Sequence, residues 1–246
     1  MKIDLLLTPF QLDQIDLDDK TVVVIDILRA STSICYALKA GARGVIPVAE
    51  PGEAGKLWSR LGPDNAVLAG ERDGVKIDSF QYGNSPAEFT PETVGGRNLV
   101  LCTTNGTGVF ARAGRGGRVV SGALVNISAL SRQVIAWAKD VVIVCAGRQG
   151  GFSVEDTLCG GMVIDQLNQN LTSGVELNDA GSLARLLYAE RGDALQQTVA
   201  LGEHGRFLES IGQGRDLELC TAVDSVPIVP VLDNGRLVVA DEPTRI

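Results

Sequence analysis

Apolar runs without polar alternation recur along the first part of the chain, and each run ends in charged, hydroxyl or glycine residues. These runs cover residues 22–25, 66–69, 99–102 and 141–145. Uninterrupted apolar segments of this length are typical of parallel strands that are covered on both faces. Because ligands of open α/β sheets bind outside the carboxyl ends of strands, we expect the polar residues after the four runs to form one site.

Segments with helical spacing alternate with these strands. The pattern predicts helices over residues 31–39, 51–61, 107–113, 126–139 and 155–168, and two more strands at 3–7 and 45–48. Beyond residue 175 the chain turns helical, and Asp233-Asn234-Gly235 is typical of the turn in a closing hairpin at 228–232 and 237–239. The order predicts an α/β fold: a mostly parallel or mixed sheet flanked by helices in α/β/α layers, with a helical C-terminal part and a terminal β-hairpin.

The domain organisation follows from the loops and the size of the chain. Residues 114–117 and 147–151 form glycine-rich loops, but no Pro/Ser-rich linker or repeat divides the chain. The 246 residues, 45% of them hydrophobic, are enough for one sizeable core. We expect residues 1–246 to form a single compact α/β unit, or a bilobal unit without a clear linker.

Charge and hydropathy limit the partners. A formal net charge of -8 at pH 7 argues against nucleic acid or an acidic membrane, because both require a basic face. No apolar run approaches the ~18 to 20 residues of a membrane span, and Asp4 stands inside what would be a signal peptide. We expect a cytoplasmic protein that binds a small anionic ligand, and we leave open whether it is a homo-oligomer.

The cysteines do not indicate cysteine chemistry. Their number, five, is odd and they lie far apart, which predicts reduced, buried thiols rather than a disulfide framework or a zinc cluster. A phosphatase loop built on Cys102 or Cys145 would need an arginine six residues later, but Gly108 and Gly151 stand there. A cysteine nucleophile is therefore disfavoured.

Asp26 and Arg29 follow the strand at residues 22–25. A carboxylate at a strand end is a hard oxygen ligand of the kind that Mg²⁺ takes, together with water and substrate phosphate. The guanidinium fork of Arg29 suits bidentate binding of a phosphate or sulfonate. The competing interpretation is a turn-capping aspartate beside a surface arginine, and the position of the pair favours the functional one.

Residues 103–107, Thr-Thr-Asn-Gly-Thr, predict a phosphate cradle. Gly106 allows close approach of the backbone while hydroxyls and N–H groups at a helix start point to one spot. The alternative is a simple capped helix start. The spacing Gly106-x-Gly108-x-x-Ala111 is also a weak match to a dinucleotide fingerprint, but residues 121–123 offer no acid where that fold needs one.

Glu155 and Asp156 stand in the first turn of a predicted helix, after the glycine loop that contains Arg148. A serine three residues before Asp156 resembles a capping box, and the helix dipole favours acids at this point. The pair would equally suit a metal ligand and a base that positions water, so both interpretations stay open. His204, the single histidine, is more typical of a helix start than of a catalyst, although Arg206 follows it closely.

The common signatures of hydrolases and phosphoryl-transfer enzymes are absent from the sequence. Residues 83–87 depart from the G-x-S-x-G nucleophile elbow at the last position, and Leu28 replaces the second acid of the aspartyl-phosphate pattern. No G-x-x-x-x-G-K-[ST] loop occurs. An activated protein nucleophile is therefore not indicated.

Ordered segments over nearly the whole chain resemble the 2-phosphosulfolactate phosphatase family. They are VVVIDILRAST, GERDGVKIDSFQYGNSPAEF, TTNGT, VCAGRQGGFSVEDTLCGG and EHGRFL with VDSVPIVPVL. The resemblance implies an α/β enzyme that hydrolyses 2-phosphosulfolactate to sulfolactate and phosphate with Mg²⁺. One departure is mild: the family often has a Phe-Asp pair before the Gly-Asn-Ser step, where this chain has Phe80-Gln81-Tyr82-Gly83.

The polar positions that match these motifs are the candidate site residues. They are Asp26, Arg29, Ser31, Thr32, Glu71, Arg72, Asn84, Ser85, Thr103, Thr104, Asn105, Thr107, Arg148, Glu155, Asp156, His204 and Arg206. As a hypothesis, Asp26, Arg148, Glu155 and Asp156 are catalytic. The metal ligands are drawn from Asp26, Glu71, Glu155 and Asp156. The remaining positions, with Gly106, would bind substrate, and Arg72 and Arg206 would take its sulfonate and carboxylate.

Direct attack of water positioned by Glu155 or Asp156 is the expected route, with a phosphorylated Asp26 as the alternative. Two other functions stay open: a phosphatase for another small phosphate ester, and a non-catalytic module that binds phosphorylated or sulfonated anions. The carboxylates disfavour the binding module, because they would repel an anion unless a cation intervened.

Overall fold

A computed structural model describes residues 1–114 and 117–240, in which eleven strands form one sheet. The strands are β1 (Lys2–Leu6), β2 (Thr21–Ile25), β3 (Gly44–Pro47), β4 (Ala66–Arg72), β5 (Val75–Lys76), β6 (Asn98–Cys102), β7 (Arg118–Gly122), β8 (Val141–Cys145), β9 (Glu176–Leu177), β10 (Pro230–Asp233) and β11 (Arg236–Val239).

Helices flank this sheet on both sides. The α-helices are α1 (Ala30–Lys39), α2 (Pro51–Leu61), α3 (Pro91–Val94), α4 (Gly106–Ala113), α5 (Ile127–Trp137), α6 (Val154–Asn170), α7 (Asp179–Arg191), α8 (Leu195–Leu201), α9 (Glu203–Ser210) and α10 (Arg215–Thr221). Short 3₁₀ segments cover Pro9–Gln14, Pro86–Glu88, Leu124–Asn126 and Gly192–Ala194.

The sheet consists of two groups of strands joined by the terminal hairpin. Its order is β5-β4-β6-β3-β11-β10-β7-β2-β8-β1-β9. We call β3, β4, β5 and β6 the β6 group, and β1, β2, β7, β8 and β9 the β2 group. All pairings within the β2 group are parallel, as are β4–β6 and β3–β6. The hairpin pairs antiparallel to both groups, through Leu237 with Val45 and Val231 with Val120.

Three antiparallel steps, β7–β10, β10–β11 and β11–β3, make the two groups run in opposite senses along the sheet. Adjacent strands are rotated by about 20 to 25°, so the five steps from β2 to β6 accumulate about 100 to 125°. This twist offsets most of the reversal. The carboxyl ends of β2 and β6 can therefore meet although four strands separate them in the sheet.

Helices α1 and α4 fill the space that the two groups enclose. One buried cluster joins Val22 and Val24 of β2 with Leu99 and Leu101 of β6, and it includes Phe110 of α4. A larger cluster on the other face of the β2 group packs β2, β8 and β1 against α5, α6 and the C-terminal helices. The central strands β2 and β8 are thus covered on both faces, which is why their sequences lack polar alternation.

The predicted α/β fold, its layers and the helical C-terminal part are confirmed. The predicted strands and helices lie within about two residues of the observed ones, except that β4 continues three residues beyond the predicted strand at 66–69. Strands β5, β7 and β9 and the short helix α3 were not predicted. The hairpin turn is confirmed too, since Asn234 and Gly235 have φ values of 48° and 76°. Of the predicted glycine loop at 114–117, residues 115 and 116 lie outside the described part of the chain.

Two further observations bear on the sequence analysis. All five cysteines are free and buried, as predicted. Among the described residues no helix is both long enough and apolar enough to cross a membrane.

Candidate active site

The carboxyl ends of β2, β4, β6 and β8 surround a small, mostly polar pocket. It takes residues from both strand groups. The lining residues are Asp26, Leu28, Arg29, Glu71, Asp73, Gly74, Asn84, Thr104, Asn105, Arg148, Gln149, His204 and Phe207. The structure therefore brings together polar residues that lie far apart in the sequence and that follow four different strands.

Asp26 lies directly after β2 and is buried, with 6% of its surface exposed. Burial raises the pKa of its carboxyl group to about 6, and the charges of Glu71 and Glu155 act in the same direction. A charge on His204 and the backbone N–H of Ala30 oppose this shift. Asp26 is therefore an acid whose ionised form is poorly compensated by the protein alone.

The N-terminus of α4 lies against Asp26, and only glycine allows this approach. A Cβ atom at Gly106 would stand 2.5 Å from Asp26 Oδ2 and 2.9 Å from the Cβ of Ala30. Gly106 thus brings the start of α4, a position that favours anions, against Asp26, although Gly106 itself does not line the pocket.

Ser31 and Thr32 hold the turn between β2 and α1. The Asp26 N–H donates to Ser31 Oγ at 3.0 Å, and Thr32 Oγ1 donates to the Ile27 carbonyl at 2.9 Å. Neither residue is part of the pocket lining. Their role in substrate binding stays a prediction, and the observed hydrogen bonds hold the turn that carries Asp26 and Arg29.

Arg29 is fixed by partners from distant elements. Its Nη1 donates to Asp216 Oδ2 at 2.8 Å and to Gln213 Oε1, and its Nη2 donates to the Gly74 carbonyl at 3.0 Å. Ser85 Oγ donates to the other oxygen of Asp216 at 2.6 Å. Arg29 lines the pocket, whereas Ser85, a predicted substrate ligand, instead holds the partner of Arg29.

Glu71 is held by three donors at the end of β4. Its Oε1 accepts from the Thr104 N–H at 2.7 Å, and its Oε2 accepts from the Gly74 N–H at 2.7 Å and from Thr104 Oγ1 at 3.0 Å. This carboxylate ties the β4–β5 turn to the loop that precedes α4. Thr104 reaches the pocket as predicted for the cradle, but its hydroxyl is directed to Glu71.

Thr103 and Thr107 cap α4 and lie outside the pocket lining. The Thr107 N–H donates to Thr103 Oγ1 at 3.2 Å, and the Thr103 N–H donates to Thr107 Oγ1 at 3.1 Å. The capped helix start, the alternative considered for this motif, therefore describes these two threonines.

Gln149 bridges two loops at the pocket. Its N–H donates to Asn105 Oδ1 and its Nε2 donates to Asp73 Oδ1, both at 3.2 Å. Asn105 thus lines the pocket as predicted, while its side-chain oxygen serves the glycine loop after β8.

Arg148 reaches the pocket from the same loop. Its Nη1 donates to Glu203 at 2.9 Å, and its guanidinium carbon lies 4.7 Å from the centre of the Phe207 ring. The stacked arrangement fixes the plane of the guanidinium beside the pocket.

The two arginines assigned to the sulfonate and carboxylate lie elsewhere. Arg72 donates to the Ala49 carbonyl at 2.6 Å and to Cys102 Sγ at 3.3 Å. Arg206 is exposed and donates to the Leu201 carbonyl. Neither lines the pocket, because each side chain projects from the far side of its strand or helix.

Asp156 and Glu155 have different surroundings although they are adjacent. Asp156 accepts the Ile27 N–H at 2.9 Å and the Gly147 N–H at 3.1 Å, which ties the end of β2 to the end of β8. Burial, with the charges of Asp26 and Glu155, raises its pKa well above the ordinary value. Glu155 is buried behind His204, and neither acid lines the pocket.

Whether these residues fit Mg²⁺ depends on the oxygen atoms that face the pocket. Within the described ranges no three His, Cys, Asp or Glu side chains form a cluster that could hold a metal ion, so the four predicted carboxylates do not converge. Mg²⁺ needs only one or two protein ligands besides water and phosphate. Asp26 provides one, and Asn84 Oδ1, which is buried without a hydrogen-bond partner among the described atoms, provides a second. These two oxygens fit the ion.

The charges around the pocket also favour a bound cation. Asp26, Glu71 and Asp73 line it, while Arg29 is paired with Asp216 and Arg148 with Glu203. A polyanionic ester would be repelled by this set of charges unless a cation accompanied it.

Sequence reasoning missed several residues of this site. Asp73 and Gly74 have φ values of 49° and 75°, and an Asp-Gly pair is a readable hairpin-turn signal, although nothing local assigns it to a pocket. Phe207 and Asp216 come from α9 and α10, and Gln213 comes from the turn between these two helices. Their contacts depend on tertiary packing, and the local pattern carries no signal for them.

Fold and site together are those of an α/β protein with a polar pocket where the strand ends of two groups meet. Residues 6–235 match the model of the 2-phosphosulpholactate phosphatase family. The chain therefore belongs to this family and is a phosphoric monoester hydrolase.

Similar proteins named probable 2-phosphosulfolactate phosphatase occur in several bacteria. That of Caldanaerobacter subterraneus subsp. tengcongensis is 41% identical over 220 residues, 89% of this chain and 90% of its own. That of Clostridium acetobutylicum is 35% identical over 237 residues, 96% of this chain and 100% of its own. That of Symbiobacterium thermophilum is 38% identical over 227 residues, 92% of this chain and 97% of its own.

Proposed function

We propose that this chain hydrolyses 2-phosphosulfolactate to sulfolactate and phosphate in a Mg²⁺-dependent reaction, by direct attack of water on phosphorus. The observation that carries the proposal is Asp26: a buried carboxylate at the pocket, close to other acids and against the start of α4. The similar proteins named after this substrate support its identity.

Asp26 and Asn84 Oδ1 are the protein atoms that would hold the ion. Mg²⁺ bound there would polarise a phosphoryl oxygen and offset the negative charge of substrate and acids. Arg148, which lines the pocket, is placed to bind a further phosphoryl oxygen. Since hydrolysis of a monoester proceeds through a loose transition state, alignment and charge supply most of the acceleration.

The assignment of the water-positioning base changes. Both oxygens of Asp156 accept backbone N–H groups, and Glu155 reaches the pocket only through His204. We therefore assign positioning of the water to Asp26 in place of Glu155 or Asp156.

Phosphate release from a panel of small phosphate esters, with chelator and then with added Mg²⁺, tests the function. We expect turnover of 2-phosphosulfolactate that chelator abolishes and Mg²⁺ restores. Asp26→Asn should lose this turnover, whereas Asp64→Asn, at an exposed position, should keep it. Near-normal activity of Asp26→Asn with Mg²⁺ would contradict the metal assignment.

Two alternatives are separated by the same material. A rapid acid quench with phosphorus-labelled substrate that leaves label on Asp26 would replace direct attack by a phosphoenzyme. Turnover of another ester in the panel, but not of 2-phosphosulfolactate, would change the substrate and leave the chemistry standing.

A further inference from the structure

His204 lies between a buried acid and the pocket. Its Nδ1 is 3.4 Å from Oε1 of Glu155, whose side chain is 2% exposed in the first turn of α6. The histidine itself is 13% exposed and is part of the pocket lining. One nitrogen of the imidazole is thus engaged by a carboxylate on the protein side, while the ring borders the space in which a substrate would bind.

Two glycines allow α9 to bring His204 to this position. A Cβ atom at Gly202 would lie 3.1 Å from Glu155 Oε2, and one at Gly205 would lie 2.1 Å from the Val199 carbonyl oxygen. The backbone on both sides of His204 therefore packs against α6 and α8 as closely as a chain can. Such packing fixes the backbone that carries His204 relative to α6, the helix that holds Glu155.

From this geometry we infer that His204 is the catalytic acid that protonates the leaving oxygen, and that Glu155 is the positioning residue that orients it. The inference rests on the proposed function. It assigns to Glu155 a part in catalysis that acts through His204, which differs from the metal-binding and water-positioning parts predicted from the sequence.

The other groups at the pocket are engaged elsewhere. The Glu71 oxygens accept three hydrogen bonds, and Asp73 Oδ1 accepts one from Gln149. Arg29 and Arg148 are paired with Asp216 and Glu203. Asp26 is assigned to the metal ion above. A histidine whose Nδ1 faces a carboxylate presents Nε2 as its second nitrogen, the arrangement that enzymes use for proton transfer.

The proposed step balances in atoms and charge. The bond between phosphorus and the ester oxygen breaks while the bond between phosphorus and the water oxygen forms. The proton on His204 Nε2 passes to the ester oxygen, which leaves as the hydroxyl group of the alcohol. A proton from the attacking water then returns to His204 by way of the phosphate product, so that the enzyme ends as it began.

The dependence on the leaving group tests this inference. Secondary alkoxides are poor leaving groups and require a proton, whereas 4-nitrophenolate does not. His204→Asn should lower kcat for 2-phosphosulfolactate by about 10²- to 10⁴-fold, and kcat for 4-nitrophenyl phosphate by less than about tenfold. Glu155→Gln should also lower kcat more for 2-phosphosulfolactate than for 4-nitrophenyl phosphate, with a smaller decrease than His204→Asn. Glu209→Gln, at an exposed position of α9, the helix that carries His204, should behave as the parent protein.

A rescue experiment covers the case in which the aryl ester is not turned over or Glu155→Gln does not fold. Imidazole added to His204→Ala should restore part of the turnover of 2-phosphosulfolactate, and it should leave Asp26→Asn inactive. Equal losses on both esters, or the absence of rescue, would overturn the role of His204 while the phosphatase activity of the parent protein stands. An inactive parent protein would instead contradict the proposed function.

Discussion

At the scale of single residues, the ionised carboxylate of Asp26 lowers the stability of the folded protein. Burial raises its pKa from 3.8 to about 6, so the native state holds this proton more tightly than the unfolded chain does. Stability must then fall as pH rises through this window, and above it the ionised carboxylate costs on the order of 3 kcal/mol. A cost of this kind is typical of functional groups.

Asp26→Asn should therefore stabilise the metal-free protein at high pH. In chelator at pH 8 we expect its free energy of unfolding to exceed that of the parent by up to about 3 kcal/mol, with the difference shrinking toward pH 4. Urea titrations at both pH values measure this. Asp64→Asn serves as the exposed control and should show no such trend. An Asp26→Asn protein less stable than the parent at pH 8 would contradict the argument.

The glycines of α4 provide a second residue-scale prediction. Gly106→Ala places a Cβ 2.5 Å from Asp26 Oδ2, so we expect a loss of stability of about 1 to 3 kcal/mol and a lowered kcat. Gly108→Ala is the matched control, because nothing lies within 4 Å of its Cβ, and it should gain about 0.5 to 1 kcal/mol from helix propensity. Thermal unfolding and phosphate release measure both variants. Equal behaviour of the two would refute the close-approach argument.

At the scale of elements, α10 supports the site from 187 residues away in the sequence. The ion pair between Arg29 and Asp216 is buried, with side-chain exposures of 3% and 6%, and it connects this helix to the turn after β2. A buried pair contributes little net stability but is costly to break, because one charge is left without a partner.

Asp216→Asn should thus cost about 3 to 5 kcal/mol of stability and raise KM, because Arg29 loses the group that fixes it. Glu218→Gln, an exposed change on the same helix, is the control and should be neutral. Urea titration and steady-state kinetics separate the two effects. A KM unchanged in a folded Asp216→Asn protein would show that Arg29 does not depend on this helix.

The elements themselves were largely predictable from the sequence. The strand at residues 141–145 and the helix at residues 51–61 were predicted with the observed bounds, because uninterrupted apolar runs and helical spacing are local signals. The strand order was not predictable, since a hairpin inserted between β3 and β7 depends on contacts from the opposite end of the chain. Asp26 and Arg148 could be predicted because they follow strands that the sequence reveals locally. Asp216 and Phe207 could not be predicted, because their place at the site depends on contacts between distant parts of the chain.

At the scale of the whole molecule, the terminal hairpin is what joins the two strand groups within the sheet. Leu237 is fully buried and pairs with Val45, while Val231 of the other hairpin strand pairs with Val120. The two tryptophans lie on opposite sides of this junction: Trp58 in α2 beside the β6 group, and Trp137 in α5 beside the β2 group.

We expect the chain to unfold as one unit. The single-tryptophan variants Trp58→Phe and Trp137→Phe should give coincident denaturation midpoints by fluorescence. Leu237→Ala should lower both midpoints, because it reduces the free energy of unfolding by about 2 to 5 kcal/mol. Val239→Ala, at a position that is 46% exposed, is the control. Separate midpoints for the two reporters would indicate two independent lobes.

The pocket takes its lining from both strand groups, with Asp26 and Arg148 on one side and Glu71 and Thr104 on the other. A molecule bound there contacts both strand groups, and because it binds only the folded chain it stabilises that state by RT ln(1 + [L]/Kd), where [L] is its free concentration. Inorganic phosphate, the smaller product of the proposed reaction, should accordingly raise the melting temperature of the complete protein in a thermal-shift assay. The melting temperature measured for the protein would then depend on whether its buffer contains phosphate.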